Sequence, residues 1–381
     1  MTEDLLTRVR RRLADDGAAA PEPAELARLV RAESTLAADT QIANAVRVVT
    51  ADVTGFGPLD DLLRRPGVTD VLVNGPEDVW LDDGQGLRRC AVVFPDEGSV
   101  LRTAQRLLAT AGRRVDLAHP FVDARLPGGV RLHVVLPPIS ERTVLSLRVP
   151  RRQAFSLADL AAAGSVSLEM AAVLTDLLGA RLSFVVTGGT GAGKTTVLAA
   201  LVGAVDPRER IVVIEDTAEL AHTHPHAVHL QSRQANAEGA GSVTMADLVR
   251  QSLRMRPDRI VVGEARGPEV IDLLAALNTG HAGSASTVHA NKPHDLPARF
   301  AALGAMAGVS AAAIDRQVAA GLSAVIHVDR DAGGRRHVAA VAVVTSRASA
   351  VIVEPALTVE RAGAAAVRGP AWSDLAALLG R

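Results

Sequence analysis

A glycine-rich segment that ends in lysine and threonine is the strongest chemical signal in this sequence. It runs Gly188-Gly189-Thr190-Gly191-Ala192-Gly193-Lys194-Thr195-Thr196, after an apolar run and before a segment with helical spacing. Glycines let consecutive backbone N–H groups curl around a phosphate, and the helix N-terminus adds positive potential. Lys194 can reach β and γ phosphates, and Thr195 can ligate Mg²⁺. The segment predicts a nucleotide-binding loop that uses Mg²⁺.

Carboxylates follow two apolar runs downstream of this loop. Ile211–Ile214 leads into Glu215 and, four residues later, Glu219, while Ile260–Val262 leads into Glu264. A carboxylate there can hold the metal's water shell or take a proton from an attacking water. One acid at a strand end is ordinarily a helix cap or a solvated turn. Two such runs behind one phosphate loop favour catalysis over that interpretation.

Histidines form two further groups. The segment from Thr279 to Asn291 contains His281 and His289, whose spacing does not fit a helical metal site and which lack the partner glutamate of a zincin. Hydroxyls and imidazoles in a glycine-rich loop are better suited to sensing a γ-phosphate. The second group alternates along the chain, and we predict a structural loop there, with a metal site as the alternative; it comprises His222, His224, His226 and His229.

Arginines in the N-terminal half have two interpretations. Arg125, Arg131 and Arg148 lie on or near predicted strands, where a surface ion pair is the ordinary role. The functional alternative is an arginine finger that brings positive charge to a terminal phosphate. We predict that the single cysteine, Cys90, is a small buried residue on a strand. It excludes an internal disulfide and a cysteine zinc site, so a reducing compartment is expected.

These residues need two different scaffolds. We predict a helical arm over 1–50, an α+β domain over 51–149, a linker over 150–156, an α/β domain over 157–346 and an extension over 347–381. In the arm, helical faces are predicted from Leu5, Leu6, Val9 and Leu13, and from Leu26, Leu29 and Val30.

The elements within these domains follow from hydrophobic spacing and turn residues. In the α+β domain we predict a helix over 99–111 and strands over 71–73, 79–81, 91–94, 131–136 and 144–149. In the α/β domain we predict nearly all-apolar strands over 182–186, 211–214 and 260–262, a hairpin of 324–329 with 337–344, and a closing helix over 371–379. Such apolar strands are typical of a parallel sheet buried on both faces.

Composition narrows the class of protein. The 381 residues carry a formal charge of -1 and only 2% aromatic residues, which does not favour a protein that coats DNA or an anionic bilayer. The N-terminus, rich in acids and arginines, does not resemble a secretory signal, and apolar segments are interrupted by polar residues. We expect no membrane insertion and no direct nucleic-acid partner.

Between Gly55 and Val344 the sequence resembles the traffic ATPases of type II and type IV secretion and type IV pilus assembly, with the tight-adherence (Flp) pilus branch the most similar. In the N-terminal domain the resemblance rests on residues 55–59, 73–76, 112–116, Pro120, 123–127 and Arg131. In the second domain it rests on four ordered motifs: the phosphate loop, the aspartate box at 215–219, the Walker B motif at 263–267 and the histidine box at 279–291.

The resemblance implies a RecA-like domain that hydrolyses ATP with Mg²⁺, an N-terminal domain that closes over the nucleotide, and a homo-hexamer. It implies a cytoplasmic protein, peripheral to the cell membrane through an inner-membrane platform protein. By matching positions, Glu264 is the Walker B acid and holds metal with Thr195, while Glu215 and Glu219 are candidates for activating water. His281 and His289 are the box histidines. Arg131 and Arg148 reach the γ-phosphate.

Two alternatives remain open. A conjugation-associated or DNA-translocating RecA-like motor has the same nucleotide motifs, but Trp80 and Trp372 are isolated and offer no stacking platform for single strands. A nucleotide-gated scaffold with little turnover is the third possibility, favoured by Ala282 where relatives carry an acid. The presence of all three glutamates, Glu215, Glu219 and Glu264, argues against such a scaffold.

Overall fold

The chain folds into two compact units. A computed structural model describes residues 8–9, 12, 23–33, 39–53, 55–150, 154–233, 235, 240–347 and 350–381. The first unit spans Met1–Arg151 and the second Arg152–Arg381. Over the described ranges, the helices are all too short or too polar to cross a membrane.

The first unit is built on an antiparallel sheet with the strand order β3-β2-β1-β6-β5-β4. Its strands are β1 Asp70–Val73, β2 Val79–Asp82, β3 Leu87–Arg89, β4 Phe121–Arg125, β5 Arg131–Val135 and β6 Val144–Arg148. Its helices are α1 Pro23–Glu33, α2 Asp39–Val53, α3 Asp60–Leu63 and α4 Glu97–Thr110. Asp96 caps α4 by accepting the Ser99 N–H at 2.6 Å.

One face of this sheet is buried and the other is open. Alternate strand residues such as Leu132, Val134 and Leu145 pack with Val100 and Leu108 of α4 in one apolar core. The residues between them, on the opposite face, are half-buried or exposed. This two-residue alternation is the ordinary pattern of an antiparallel sheet with one solvated face.

Several predictions for this half need correction. The strand predicted over 91–94 is wrong: β3 is Leu87–Arg89, and Phe94 is instead a buried anchor whose N–H donates to Pro76 O. Cys90 follows β3 rather than lying inside a strand, and it is half-buried. The strand β4 was not predicted. The boundary predicted at residue 50 falls inside α2, because Val49 belongs to a small apolar cluster while Arg47 pairs with Asp61 at 2.6 Å.

The predicted helical arm is described in part. Its apolar cluster contains Val9, Leu26, Val30, Ala45 and Val49. Leu5, Leu6 and Leu13 lie outside the described residues, as do residues 151–153 of the predicted linker.

The second unit is a large mixed sheet with the order β15-β14-β13-β12-β7-β11-β10-β8-β9. Its strands are β7 Phe184–Gly188, β8 Ile211–Glu215, β9 Ala227–Gln231, β10 Arg259–Val262, β11 Ala285–His289, β12 Ala324–Arg330, β13 Arg336–Arg347, β14 Ala350–Thr358 and β15 Val367–Arg368. Strands β12, β7, β11, β10, β8 and β9 are mutually parallel neighbours, and β13 to β15 continue the sheet antiparallel.

Helices cover both faces of this sheet. One face packs α5 Leu157–Ala162, α6 Leu168–Gly179, α7 Lys194–Gly203 and α12 Trp372–Leu378; the other packs α8 Met245–Ser252, α9 Glu269–Leu277, α10 Leu296–Met306 and α11 Ala311–Gly321. All residues of β7, β8 and β10 are buried. The α/β fold class is confirmed, and so is the predicted hairpin, formed by β12 and β13.

The segment predicted as an extension after residue 346 belongs to this sheet. Strand β14 pairs along its length with β13, and β15 pairs with β14. Val351 and Val353 contribute to the same core as the central strands. The prediction failed because Val343 and Val344 do not end a strand: β13 runs on to Arg347 and pairs with β14.

Candidate phosphate-binding site

Four predicted site segments meet at one edge of the large sheet. Strands β7, β11, β10 and β8 are adjacent and parallel, so their carboxyl ends lie side by side. Those ends carry Gly188, His289, Glu264 and Glu215. Ligands of parallel sheets bind at this edge, where the loops leave the strands.

The phosphate loop depends on glycine at three positions. Gly188 lies at φ +153°, and a Cβ there would stand 2.3 Å from the Val328 carbonyl oxygen. Gly191 has φ +71° and Gly193 φ +105°, in the left-handed region that favours glycine. Gly193 is the N-cap residue directly before α7. The loop therefore turns sharply from a buried strand into a helix N-terminus.

Lys194 folds back over this loop. Its Nζ donates to Gly188 O at 3.0 Å and to Gly189 O at 2.9 Å, and the residue is 9% exposed. Burial lowers the pKa of the Lys194 ammonium, the Glu264 carboxylate opposes that shift, and the Arg266 guanidinium adds to it. The ammonium group thus lies inside the loop and within electrostatic reach of Glu264.

The oxygen atoms at this edge fit a magnesium ion. Thr195 is half-buried in the first turn of α7, beside Lys194, and the Glu264 side chain is 27% exposed. One hydroxyl and one carboxylate are the hard oxygen ligands that Mg²⁺ takes together with waters and phosphates. Thr190 and Thr196 are exposed on either side of the loop's last glycine.

The two glutamates of the aspartate box have different environments. Glu215 is buried, and its Oε1 accepts the N–H groups of Glu219 and Leu220, both at 2.9 Å. A Cβ on Gly263 would stand 2.8 Å from Glu215 Cγ, so the glycine makes room for this side chain. Glu219 is exposed. Glu215 therefore organises the loop, whereas the Glu219 carboxylate faces solvent.

Arg266 pairs with Glu264 at this edge and was not assigned a role from the sequence. Its Nη2 donates to Glu264 Oε2 at 2.5 Å. That hydrogen bond, followed by the charges of Glu264, Glu219 and Asp216, raises the pKa of the guanidinium against its burial. The signal was present, because Arg266 lies inside the Walker B motif, two residues after its glutamate.

The structure separates the two box histidines. His289 ends β11 and lies opposite Gly188 in the register, at the phosphate-loop edge. His281 precedes Ala285 at the other end of the same strand, where its Nδ1 lies 3.3 Å from Ala276 O. A five-residue strand spans roughly 13 Å. Of the two box histidines, His289 is therefore the one that lies beside the phosphate loop of its own chain.

His327 is a buried neighbour of the loop that the sequence did not indicate. Its Nδ1 lies 2.9 Å from Thr187 Oγ1, directly before the phosphate loop. Burial lowers the pKa of this imidazole, against the charges of Asp329 and Asp295. The contact exists because β12 pairs with β7, and the local sequence does not predict that pairing.

The second histidine group lies beside Glu215. The Nε2 atoms of His222 and His229 are 2.9 Å apart, with rings parallel to within 5°, and His229 Nδ1 is 3.7 Å from Glu215 Oε2. Burial, then the charges of His229 and His224, lowers the pKa of His222 to about 4. Among the described residues, these side chains do not form a group of three or more that could hold a metal ion.

The three N-terminal arginines are neighbours on their own sheet. Arg125 is paired with Arg131 in the register, and Arg131 with Arg148, which in turn is paired with Asp70. Directly paired residues point to the same face, so these side chains form a row across the open face of the sheet. We call this the arginine row. Arg131 is half-buried and Arg148 exposed.

The sequence matches one known protein family and several named proteins. A family model described as "Type II/IV secretion system protein" matches residues 52–362. A putative conjugal transfer protein of Mycobacterium tuberculosis (strain H37Rv) is 56% identical over 312 residues, covering 80% of this chain and 89% of that protein. The type IV secretion system protein PtlH of Bordetella pertussis is 34% identical over 259 residues, covering 60% and 74%.

A solved structure shares the fold. The ATPase DotB of Yersinia pseudotuberculosis superposes with a TM-score of 0.52 at 16% identity, covering 80% of this chain and 78% of that one. At this identity the similarity concerns the fold alone.

Proposed function

This chain belongs to the type II/IV secretion system protein family, and from that premise we propose that it hydrolyses Mg²⁺-ATP to power macromolecular transport. The observation that carries the proposal is the meeting of Lys194, Glu264 and the exposed Glu219 at the edge of one parallel sheet. This set combines a phosphate cradle, a carboxylate for the metal and a general base, which are the parts that phosphoryl transfer requires.

Binding of the phosphates would start with Lys194. Its ammonium now donates to the carbonyls of Gly188 and Gly189, and a phosphate oxygen would replace these neutral acceptors with a charged one. The N-terminus of α7 favours the same negative charge. Thr195 and Glu264 would hold Mg²⁺, which when bound neutralises charge on the phosphates.

Proton removal from the attacking water would fall to Glu219 rather than Glu215. Glu215 uses Oε1 to hold two backbone N–H groups and is buried, so its carboxylate is committed to the loop. Glu219 is exposed and close enough to Arg266 for its charge to raise that arginine's pKa. Arg266 would position both Glu219 and Glu264.

We propose further that the working form is a homo-hexamer at the cytoplasmic face of an inner-membrane platform protein. In a ring, each interface is heterologous, so a neighbouring subunit can sense each nucleotide. The arginine row would supply Arg131 and Arg148 to the γ-phosphate, and loss of that phosphate would release the N-terminal unit. The cargo we propose is a pilin or a secreted protein.

Conjugation is the second candidate, and one observation favours it. The 56% identical relative from Mycobacterium tuberculosis is named a putative conjugal transfer protein and is covered over 89% of its length. The two candidates share the nucleotide chemistry and differ in the cargo. Direct DNA binding with a steep salt dependence would separate a DNA-handling motor from a protein-handling one.

The test is phosphate release by the purified protein with Mg²⁺-ATP over a range of protein concentrations. Turnover should fall at least about 100-fold in Lys194→Ala and Glu264→Ala. The exposed Glu360→Ala should match the parent protein. Specific activity that rises with concentration supports shared sites in a ring. Turnover that persists in Lys194→Ala overturns the assignment of the site, and absence of turnover with tight nucleotide binding identifies a scaffold.

A further inference from the structure

The hairpin of β12 and β13 holds the outer side of the phosphate loop. Arg330, the last residue of β12, donates from Nη2 to Gly191 O at 2.9 Å, and Arg336, the first residue of β13, donates from Nε to the same oxygen at 2.9 Å. Both side chains are exposed. Two guanidinium groups from one hairpin therefore meet at one backbone carbonyl of the loop.

The position of this hairpin is fixed by the sheet. In the parallel register of β12 with β7, Ile326 lies opposite Val186 and His327 opposite Thr187. Val328 O then fills the space that a Cβ on Gly188 would need. Arg330 follows two residues later, so its approach to the loop is set by strand pairing and not by a flexible segment.

Holding the Gly191 carbonyl orients the next N–H group. In a trans peptide the C=O and the following N–H point in opposite directions. With Gly191 O turned outward to the arginines, the Ala192 N–H is turned inward, where it lies 3.3 Å from Gly189 O. A bond of that length is weak, so a phosphate oxygen inside the loop is a better acceptor.

The two arginines duplicate one another. A carbonyl oxygen has two lone pairs and accepts both donors. Either guanidinium alone can keep the carbonyl turned outward, whereas loss of both would leave the Gly191–Ala192 peptide free to rotate. Gly191, at φ +71°, has no Cβ to resist that rotation.

We propose that Arg330 and Arg336 are a redundant pair of positioning residues, which hold the Gly191–Ala192 peptide so that its N–H faces the terminal phosphates of a nucleoside di- or triphosphate. The inference rests on the proposed nucleotide binding of this loop. It assigns no contact between these arginines and the nucleotide itself.

The experiment is a double-mutant cycle on the full chain, read by the Kd of a fluorescent ADP analogue and by KM and kcat for ATP. Arg330→Ala and Arg336→Ala alone should each change the Kd by no more than about twofold, and the double variant should weaken it about tenfold. KM should follow the Kd, while kcat at saturation stays within about twofold. Arg335→Ala is the matched control, because Arg335 lies on the same hairpin but donates to Ala362 O.

The outcomes separate this inference from the proposed function. If each single variant loses affinity for the ADP analogue and the two losses add up to that of the double variant, each arginine contacts phosphate directly. That result overturns the positioning role. A double variant that binds like the parent protein overturns it as well and leaves ATP binding intact. A parent protein that does not bind ADP overturns both proposals. Should the double alanine variant not fold, the Arg330→Gln, Arg336→Gln variant decides by the same criteria.

Discussion

The carboxyl edge of the parallel sheet and the open face of the antiparallel sheet both gather charged side chains, but by different means. Strand β7 is buried along its whole length, so functional groups of that sheet can stand only where the strands end. Strand β5 alternates half-buried and buried residues, so Arg131 stands on the strand itself. The first region is organised by backbone geometry, and the second by cross-strand register.

This difference determines how each region can be damaged. At Gly188 of the sheet edge, the neighbouring backbone leaves no room for an added Cβ. On the open face, a side chain can be removed with little effect on its neighbours, because directly paired residues interact weakly. We therefore expect a loss of stability where the backbone packing of the edge is disturbed, and an effect on turnover alone where a side chain of the open face is removed.

The largest expected effect is that of Gly188→Ala. Its Cβ would stand 2.3 Å from Val328 O at φ +153°, so the free energy of unfolding should fall by about 2–4 kcal/mol, and nucleotide affinity should fall with it. Denaturant titration with a nucleotide-binding assay measures both. Gly189→Ala is the control, because nothing lies within 4 Å of its added Cβ. Equal stability of the two variants would contradict the backbone account of this edge.

The next effect tests the arginine row. Arg131→Ala and Arg148→Ala should each lower kcat for ATP by about 10- to 100-fold, since positive charge at the γ-phosphate stabilises the transition state. Affinity for ADP should change by less than about twofold, because ADP lacks that phosphate. Arg102→Ala, on α4 with Ser99 as its partner, is the control. An equal loss of ADP affinity would count against the γ-phosphate role.

Substitution of the two glutamates at the sheet edge should have smaller effects, on stability for Glu215 and on turnover for Glu219. Glu215→Ala removes the acceptor of the Glu219 and Leu220 N–H groups and should cost about 1–3 kcal/mol of unfolding free energy. Glu219→Gln changes an exposed carboxylate, so it should lower turnover with stability unchanged. Thermal unfolding and phosphate release measure the two quantities. Full turnover in Glu219→Gln would exclude it as the base.

The smallest effect is a pH dependence beside Glu215. The folded-state pKa of His222 is lowered to about 4 from 6.5, so the fold favours the neutral imidazole. As the pH falls from 6.5 toward 4, the unfolded chain therefore binds a proton at His222 that the folded chain does not bind. The free energy of unfolding is highest above pH 6.5 and falls over this window. His222→Asn should reduce the fall of Tm over this window by about 2 °C.

The fall of Tm in His222→Asn should be reduced rather than abolished, because burial also lowers the pKa of His327. His229, His224 and Glu215 face His222 and set the baseline of the titration. A pH profile of Tm that is unchanged by the substitution would show that the protonation of His222 is not linked to folding.

The sequence alone determined most residues of the proposed phosphate site. Phosphate-loop glycines, Lys194 and Glu264 were all predicted, because this chemistry needs fixed residue types at fixed spacing directly after a strand. The α/β class and the hairpin of β12 with β13 also followed from local patterns of apolar and turn residues. Local spacing is enough where one continuous segment performs the function.

What only the tertiary structure decided depends on pairing between distant strands. The paired strands β12 and β7 bring His327, Arg330 and Arg336 to the phosphate loop, and the direction of β11 places His281 at the opposite end from His289. Glu215 is buried and Glu219 is exposed, a difference that the residue type at either position does not determine. The physical reason is that register and burial are set by the packing of the whole sheet, whereas a turn or a loop is set by its own residues.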